Sequence, residues 1–207
     1  MAKNLDPKCK QCRREGEKLF LKGEKCNSAK CPAIKRNYPP GVHGVKRQKR
    51  LTQYGQQLRE KQKAKRIYGL LEKQFKNYYE KAVKKQGDTG KLLNQMLEMR
   101  FDNVIYRAGL ANSRKKSRQM VNHGLFKING KKVDIPSCQV KTKDEITINP
   151  KNADSKLFAD LNLDKKDVVS WIHVDPKELK VKIINKPTPK EIEQSFNSRL
   201  IVEFYSR

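Results

Sequence analysis

MRFDNVIYRAGLANSRKKSRQMVNHGLFKINGKKVDIPS, residues 99–137, carries the densest run of structural signals in the chain. Val104 and Ile105 continue an apolar face begun by Leu92, Leu93, Met96 and Leu97, so one helix is expected up to Gly109. Ser113 suits the N-cap of a second helix through Met120 and Val121, which stops at Gly124. Asn129-Gly130, between Phe126–Ile128 and Lys131–Val133, is a strong short-range hairpin signal, and 145–148 reads as a further strand. Arg114, Lys115, Lys116 and Arg118 then fall in the first turns of the second helix. There the side-chain cations join the positive end of the backbone dipole and can grip phosphate.

Outward from this stretch, charge narrows the partner class. The 207 residues hold 48 Lys and Arg against 22 Asp and Glu, a formal net charge of +26. By segment the excess is +11 over residues 1–50, +6 over 51–90, +7 over 91–150 and +2 over 151–207. Such an excess repels itself unless a polyanion neutralises it, which points to nucleic acid contacting the first three quarters. No apolar run reaches the roughly 18 residues of a membrane span, and the start, MAKNLDPKCK, lacks the apolar stretch of a secretory signal. A soluble, intracellular protein with no membrane partner is expected.

Cys9 and Cys12, then Cys26 and Cys31, form two close pairs joined by a loop. That spacing is the pattern of a structural four-thiolate zinc centre, with a four-iron four-sulfur cluster on the same thiolates as the alternative. Either would knot the basic arm 1–50, contributing on the order of 10 kcal/mol to its folding. Cys138 stands apart and reads as a packed or idle thiol.

Pro39, Pro40, Gly41 and Gly44 make the following segment an extended, turning connector, after which Lys46, Arg47, Lys49 and Arg50 form a phosphate-binding cluster. From Leu51 the pattern is helical, with Ile67, Leu71, Phe75, Tyr78 and Ala82 as a core stripe. Arg59, Lys61, Lys63, Lys65 and Arg66 read as a dense basic face of that helix. Near the other end, Trp171 to Val174 and Leu179 to Ile184 read as strands. Thr188 to Glu191 is a capping box at a helix start, and the last residues alternate as a short extended tail.

The quoted stretch resembles the RNA-binding domain named after bacterial small-subunit ribosomal protein S four. YPPGVHGVKRQKRLTQYGQQLREKQKAKRIYG, the four-cysteine start and the ending LIVEFYSR are similar to that universal ribosomal protein family in its four-cysteine form. The likeness touches nearly the whole chain and is weakest over 151–190. It implies direct binding of small-subunit ribosomal RNA, early assembly of its five-prime domain, and a share in decoding accuracy. It also implies contact with the neighbouring protein S five and, through messenger RNA, translational autoregulation. Arg100, Arg107, Ser113, Arg114, Arg118, Gln119, His123, Asn129 and Lys131 fall at its RNA-facing or motif-defining positions. Phe101, Ser117 and Leu125 depart mildly from the family's usual residues, and Leu125 removes one polar RNA contact.

The expected fold is α+β and mainly helical. A metal-knotted arm (1–50) and a helical domain (51–97, completed by 188–207) carry an inserted helix-helix-hairpin RNA-binding domain (98–165), with 166–187 a strand-rich connection. The resemblance implies that the tail folds back on the helical domain. The expected function is a non-catalytic constituent of the cytoplasmic small ribosomal subunit. The competing readings are an RNA-modifying or tRNA-charging enzyme and a free ribosome-associated RNA-binding factor. Outside 98–150 there is no room for such a catalytic domain, and His43, His123 and His173 have no nucleophile pattern near them.

Overall fold

The computed structural model describes residues 4–46, 50–150, 158, 169–175, 179–189, 191–192 and 195–207. In chain order its elements are α1 (Lys8–Glu15), α2 (Glu24–Asn27), α3 (Pro32–Lys35), a 3-10 turn (Val42–Val45), α4 (Gln53–Ile67), α5 (Glu72–Val83), α6 (Thr89–Glu98), α7 (Phe101–Arg107), α8 (Arg114–Asn122), β1 (Phe126–Ile128), β2 (Lys131–Lys132), β3 (Glu145–Ile148), β4 (Ile172–Asp175), β5 (Lys180–Ile183) and α9 (Ser198–Tyr205). The chain divides into two units, Met1–Leu93 with Glu193–Arg207, and Asn94–Ile192. No helix among the described residues is long and apolar enough to cross a membrane.

In the first unit, Thr52 caps α4 by accepting the Gly55 N–H at 3.1 Å. The helical stripe expected to run through Leu71 is interrupted. Gly69 adopts φ 64 after α4, Leu71 is left exposed in an extended backbone, and α5 restarts the helix. Phe75, Tyr78 and Ala82 remain buried on α5. The extended tail expected at the C-terminus is instead helix α9, capped by Asn197, whose Oδ1 accepts the Arg199 N–H at 2.9 Å. Ile201 is fully buried, and Phe204 and Tyr205 lie on the rings of Tyr54, Phe75 and Tyr79. An alternating sequence gave way to a helix because those apolar side chains meet α4 and α5 at helical spacing.

In the second unit, the expected single helix breaks at Arg100, whose backbone is extended (φ −69, ψ 140) and bridged to Gln139, so that α6 and α7 are separate. Ser113 caps α8 by accepting the Lys116 N–H at 3.3 Å, and Gly124 ends it at φ 68. Asn129 and Gly130 both take positive φ, 48 and 79, the turn that matches strand twist in a two-residue hairpin. The sheet has order β2-β1-β3-β5-β4 with every neighbouring pair antiparallel. Phe101, Val104 and Ile105 from α7, Met120 and Val121 from α8, and Phe126, Ile146, Trp171, Val181 and Ile183 close one core. Cys138 packs against that core, half-buried. Only half of the Thr188–Glu191 box forms: Glu191 Oε2 accepts the Thr188 N–H at 3.2 Å, but the Thr188 hydroxyl donates to that carboxylate at 2.6 Å instead of accepting the Glu191 N–H, which goes to the Thr188 carbonyl. Its described residues make turns rather than the expected helix, and Ser170 also donates to Glu191.

Candidate nucleic-acid interface

Beneath α8 lies a buried polar cluster. The fully buried Glu98 carboxylate accepts from Asn103 Nδ2 at 2.7 Å and from Arg107 Nε and Nη2 at 3.0 and 2.9 Å. Asn103 Oδ1 in turn accepts from Arg114 Nε at 2.8 Å, and the Arg114 guanidinium lies over the Tyr106 ring at 4.6 Å. Ser117 Oγ donates to the Asp102 carbonyl at 2.6 Å. Arg100 is wholly buried in a two-pronged pair with Asp102, so the expectation that it faces RNA is corrected. Arg118 and Ser113 are buried as well. Of these arginines, Arg114 ties the start of α8 to α7 through Asn103.

The side chains left in water form a different row. Lys115, Gln119 and Asn122 are exposed at steps of four and three along α8, and His123 follows them. The hairpin adds exposed Asn129, Lys131 and Lys132. Asn129 is fixed by donating to Asp144 Oδ1 and accepting the Glu145 N–H, both at 2.9 Å. The Lys132 stem runs over Gly124, where a Cβ would come within 2.2 Å of Cε, which brings the hairpin lysine to the end of α8. Asn122 and Lys132 were missed by sequence reasoning. The helical step from Lys115 and Gln119 to Asn122 was the available signal.

In the first unit the expected basic face of α4 is largely turned inward. Lys61 and Lys63 are buried. Lys61 and Lys65 meet Glu72 at 2.6 and 2.9 Å, Lys63 meets Glu17 and Glu60 at 3.2 Å, and Arg59 and Arg66 both meet Glu15. Glu17 and Glu60 outweigh burial and hold the Lys63 ammonium above its ordinary value. Burial pushes the Glu15 carboxyl up, against the pull of Arg66 and Arg59. Lys46 and Arg50 are exposed, whereas Arg47 and Lys49 lie outside the described residues.

Glu72 joins this cluster to the C-terminus. Burial would raise its carboxyl, but hydrogen bonds from Lys61, Lys65 and the Tyr205 hydroxyl outweigh burial and hold it at about 2. Burial and the Glu72 charge push the Tyr205 hydroxyl up, so it stays a donor. A depressed carboxyl contributes stability that is complete above its unfolded value of 4.5 and is lost as pH falls through that value towards about 2. The melting difference between wild type and Glu72→Gln is therefore expected to be larger at pH 6 than at pH 3. Equal differences at both pH values would refute the assignment.

The zinc centre expected at Cys9, Cys12, Cys26 and Cys31, and the four-iron four-sulfur alternative, are both corrected. Among the described residues no group of three or more His, Cys, Asp or Glu is placed to hold a metal ion. Cys12, Cys26 and Cys31 are buried free thiols and Cys9 is half-buried. Cys26 Sγ accepts the Lys22 N–H at 3.3 Å. Burial, helped by the neighbouring cysteines, pushes the Cys12 thiol up. The arm is tied by hydrogen bonds rather than knotted by metal. Arg13 donates to the carbonyls of Arg36, Tyr38 and Pro39 at 3.1, 2.9 and 3.3 Å and stacks on the Tyr38 ring at 4.6 Å.

Residues 3–98 match the Ribosomal protein S4/S9 N-terminal domain and residues 99–146 match the S4 domain. The chain is 48% identical to small ribosomal subunit protein uS4 of Syntrophomonas wolfei over 209 aligned positions. It is 49% identical to uS4A of Alkaliphilus metalliredigens and 49% identical to uS4A of Clostridium perfringens. Each alignment covers the whole of both chains. The chain belongs to the uS4 family of small ribosomal subunit proteins. uS4 is a family of ribosomal structural proteins, not of enzymes, which disposes of the RNA-modifying reading. In this uS4 chain the S4 domain match spans α7, α8, β1, β2 and the start of β3, the elements that carry the exposed row from Lys115 to Lys132.

Proposed function

We propose that this chain is a structural constituent of the cytoplasmic small ribosomal subunit that captures small-subunit ribosomal RNA electrostatically and by shape. The observation that carries the reading is the exposed row Lys115, Gln119, Asn122, His123, Asn129, Lys131 and Lys132, set on a rigid helix end and hairpin of the S4 domain. Lys46 and Arg50 add phosphate contacts from the first unit, with Arg47 and Lys49 beside them in sequence. Arg107 and Arg114, tied to Glu98 and Asn103, support this surface from beneath. On this reading the protein nucleates the five-prime domain, contacts the neighbouring protein S five and contributes to decoding accuracy. It also binds its own messenger RNA as a repressor. Its four cysteines place it in the four-cysteine form of the family, where here they serve as packed thiols.

Affinity for a five-prime-domain transcript is expected to fall linearly in log–log form with salt, with a slope of about 0.7–0.9 per phosphate neutralised. Lys115→Ala and Lys131→Ala should each lower that slope by about one contact while leaving the melting curve unchanged. A salt-independent affinity, or wild-type slopes in both variants, would overturn electrostatic capture by this row. Chemical footprinting on the same RNA reports the nucleotides contacted.

A further inference from the structure

A groove of about 990 Å3 in the first unit opens beside the ion pairs of Glu15, Glu17 and Glu60. One wall is the segment Tyr38–Lys46 and the other is the end of α1 with the first turns of α4. Three apolar side chains along it stand in water: Val42 is 92% exposed, Val45 74% and Leu51 52%. On a pliable loop such residues would fold under. This segment is tethered at its start, where Arg13 donates to the Tyr38 and Pro39 carbonyls, and Gly44 packs so close that a Cβ there would lie 1.9 Å from the Pro39 carbonyl oxygen. Valines held out in water on a tethered turn, beside an exposed leucine, mark a surface that is completed by a partner.

Charge selects that partner. Residues 25–59 contain nine Lys and Arg and no Asp or Glu. The three carboxylates in the walls are already matched, Glu15 by Arg59 and Arg66, and Glu17 and Glu60 by Lys63. Arg14 and Lys46 are exposed at the groove. An apolar surface flanked by cations fits a ligand that has both a flat apolar face and an anion. A duplex buries its base faces in the stack and offers only edges, whereas an unpaired nucleotide offers a face, a ribose and a phosphate. We propose that this groove binds an unpaired nucleotide of the RNA, its base against Val42, Val45 and Leu51 and its phosphate against Lys46 and Arg14.

The proposal rests on the ribosomal-RNA reading above, and its test separates the two. Full-length wild type and the double variant Val42→Ser with Val45→Ser are titrated onto the five-prime-domain transcript, with dimethyl sulfate and hydroxyl-radical probing of each complex. Both valines are exposed, so melting should be unchanged. The double variant is expected to bind about tenfold more weakly. Its salt slope should equal that of wild type, because no phosphate contact is removed. At least one unpaired base protected by wild type should regain reactivity towards dimethyl sulfate. If wild type binds and the double variant matches it in affinity and base protection, the groove site is overturned while the ribosomal-RNA reading stands. Loss confined to ribose protection would show docking on a duplex groove and would also overturn it. If wild type itself fails to bind the transcript, the underlying reading falls.

Discussion

Replacing Arg100 by alanine is expected to destabilise the second unit by about 3–5 kcal/mol, the cost of leaving a buried charge without its partner. Its guanidinium is 0% exposed and meets Asp102 through Nε at 3.0 Å and Nη2 at 2.7 Å, with Asp102 only 4% exposed. The backbone around this pair is stitched to residues 136–140. Phe101 N–H donates to the Cys138 carbonyl at 2.9 Å, Asp102 N–H to Pro136 at 3.2 Å, and Val140 N–H to Met99 at 3.0 Å. Loss of the pair should therefore loosen the start of α7 and the loop facing it together. Urea unfolding of the full chain measures the effect. A double replacement, Arg100→Met with Asp102→Leu, should recover most of the loss, since removing both charges leaves neither stranded. A change under 1 kcal/mol in Arg100→Ala, or no recovery in the double variant, would refute this account. Under conditions where Arg100→Ala remains folded, RNA affinity should be unchanged, because the residue supports the surface without reaching it.

Deleting residues 198–207 should remove on the order of 5 kcal/mol from the first unit, comparable with the whole stability of a domain of that size. Burial of Ile201 alone accounts for about 2–5 kcal/mol by analogy with Ile→Ala truncations. To this are added the stacking of Tyr205 on Tyr79 at 4.7 Å and its approach to Phe75 at 6.3 Å, at about 0.5–1.5 kcal/mol per aromatic pair. The deletion also strips Glu203 from Gln57 and leaves the buried Lys61 without the Phe204 ring 4.5 Å from its Nζ. Amide exchange should then show the protection of α4 and α5 collapsing while the strands β1, β3 and β5 keep theirs. Ile201→Ala is the milder control, expected to show the same pattern at smaller amplitude. Unchanged protection of α4 after the deletion would refute the docking of α9 as its stabilising contact.

Where a structural instruction is local, it could be read from residue identity. Ser113 capped its helix, Gly124 ended it, and Asn129-Gly130 turned the hairpin, because each position needs a particular side-chain acceptor or a positive φ. Strand 145–148 also formed where the sequence reading placed it. Net charge named a polyanion as partner, since charge sums regardless of fold. The reading went wrong where distant segments intervened. Arg100 broke a helix because Gln139 paired with its backbone, and Ser198–Tyr205 coiled because α4 and α5 offered them a helical-period apolar seat.

The candidate site divided along the same line. Residue identities alone crowd the cations into residues 1–150 and put Lys115, Gln119 and Lys131 in one short motif. Which cations meet water was decided only in three dimensions. Glu15, Glu72 and Glu98 are scattered along the chain, yet Glu15 and Glu72 each collect two basic side chains and Glu98 takes both prongs of Arg107, turning them inward. The four cysteines followed the same rule, since spacing offers a ligand set and only the packed arm shows whether those thiols are arranged to hold a metal. A one-dimensional pattern records how many charges a chain carries. Whether each is spent on the fold or left for a partner depends on contacts between residues far apart in sequence, and those exist only once the chain is folded.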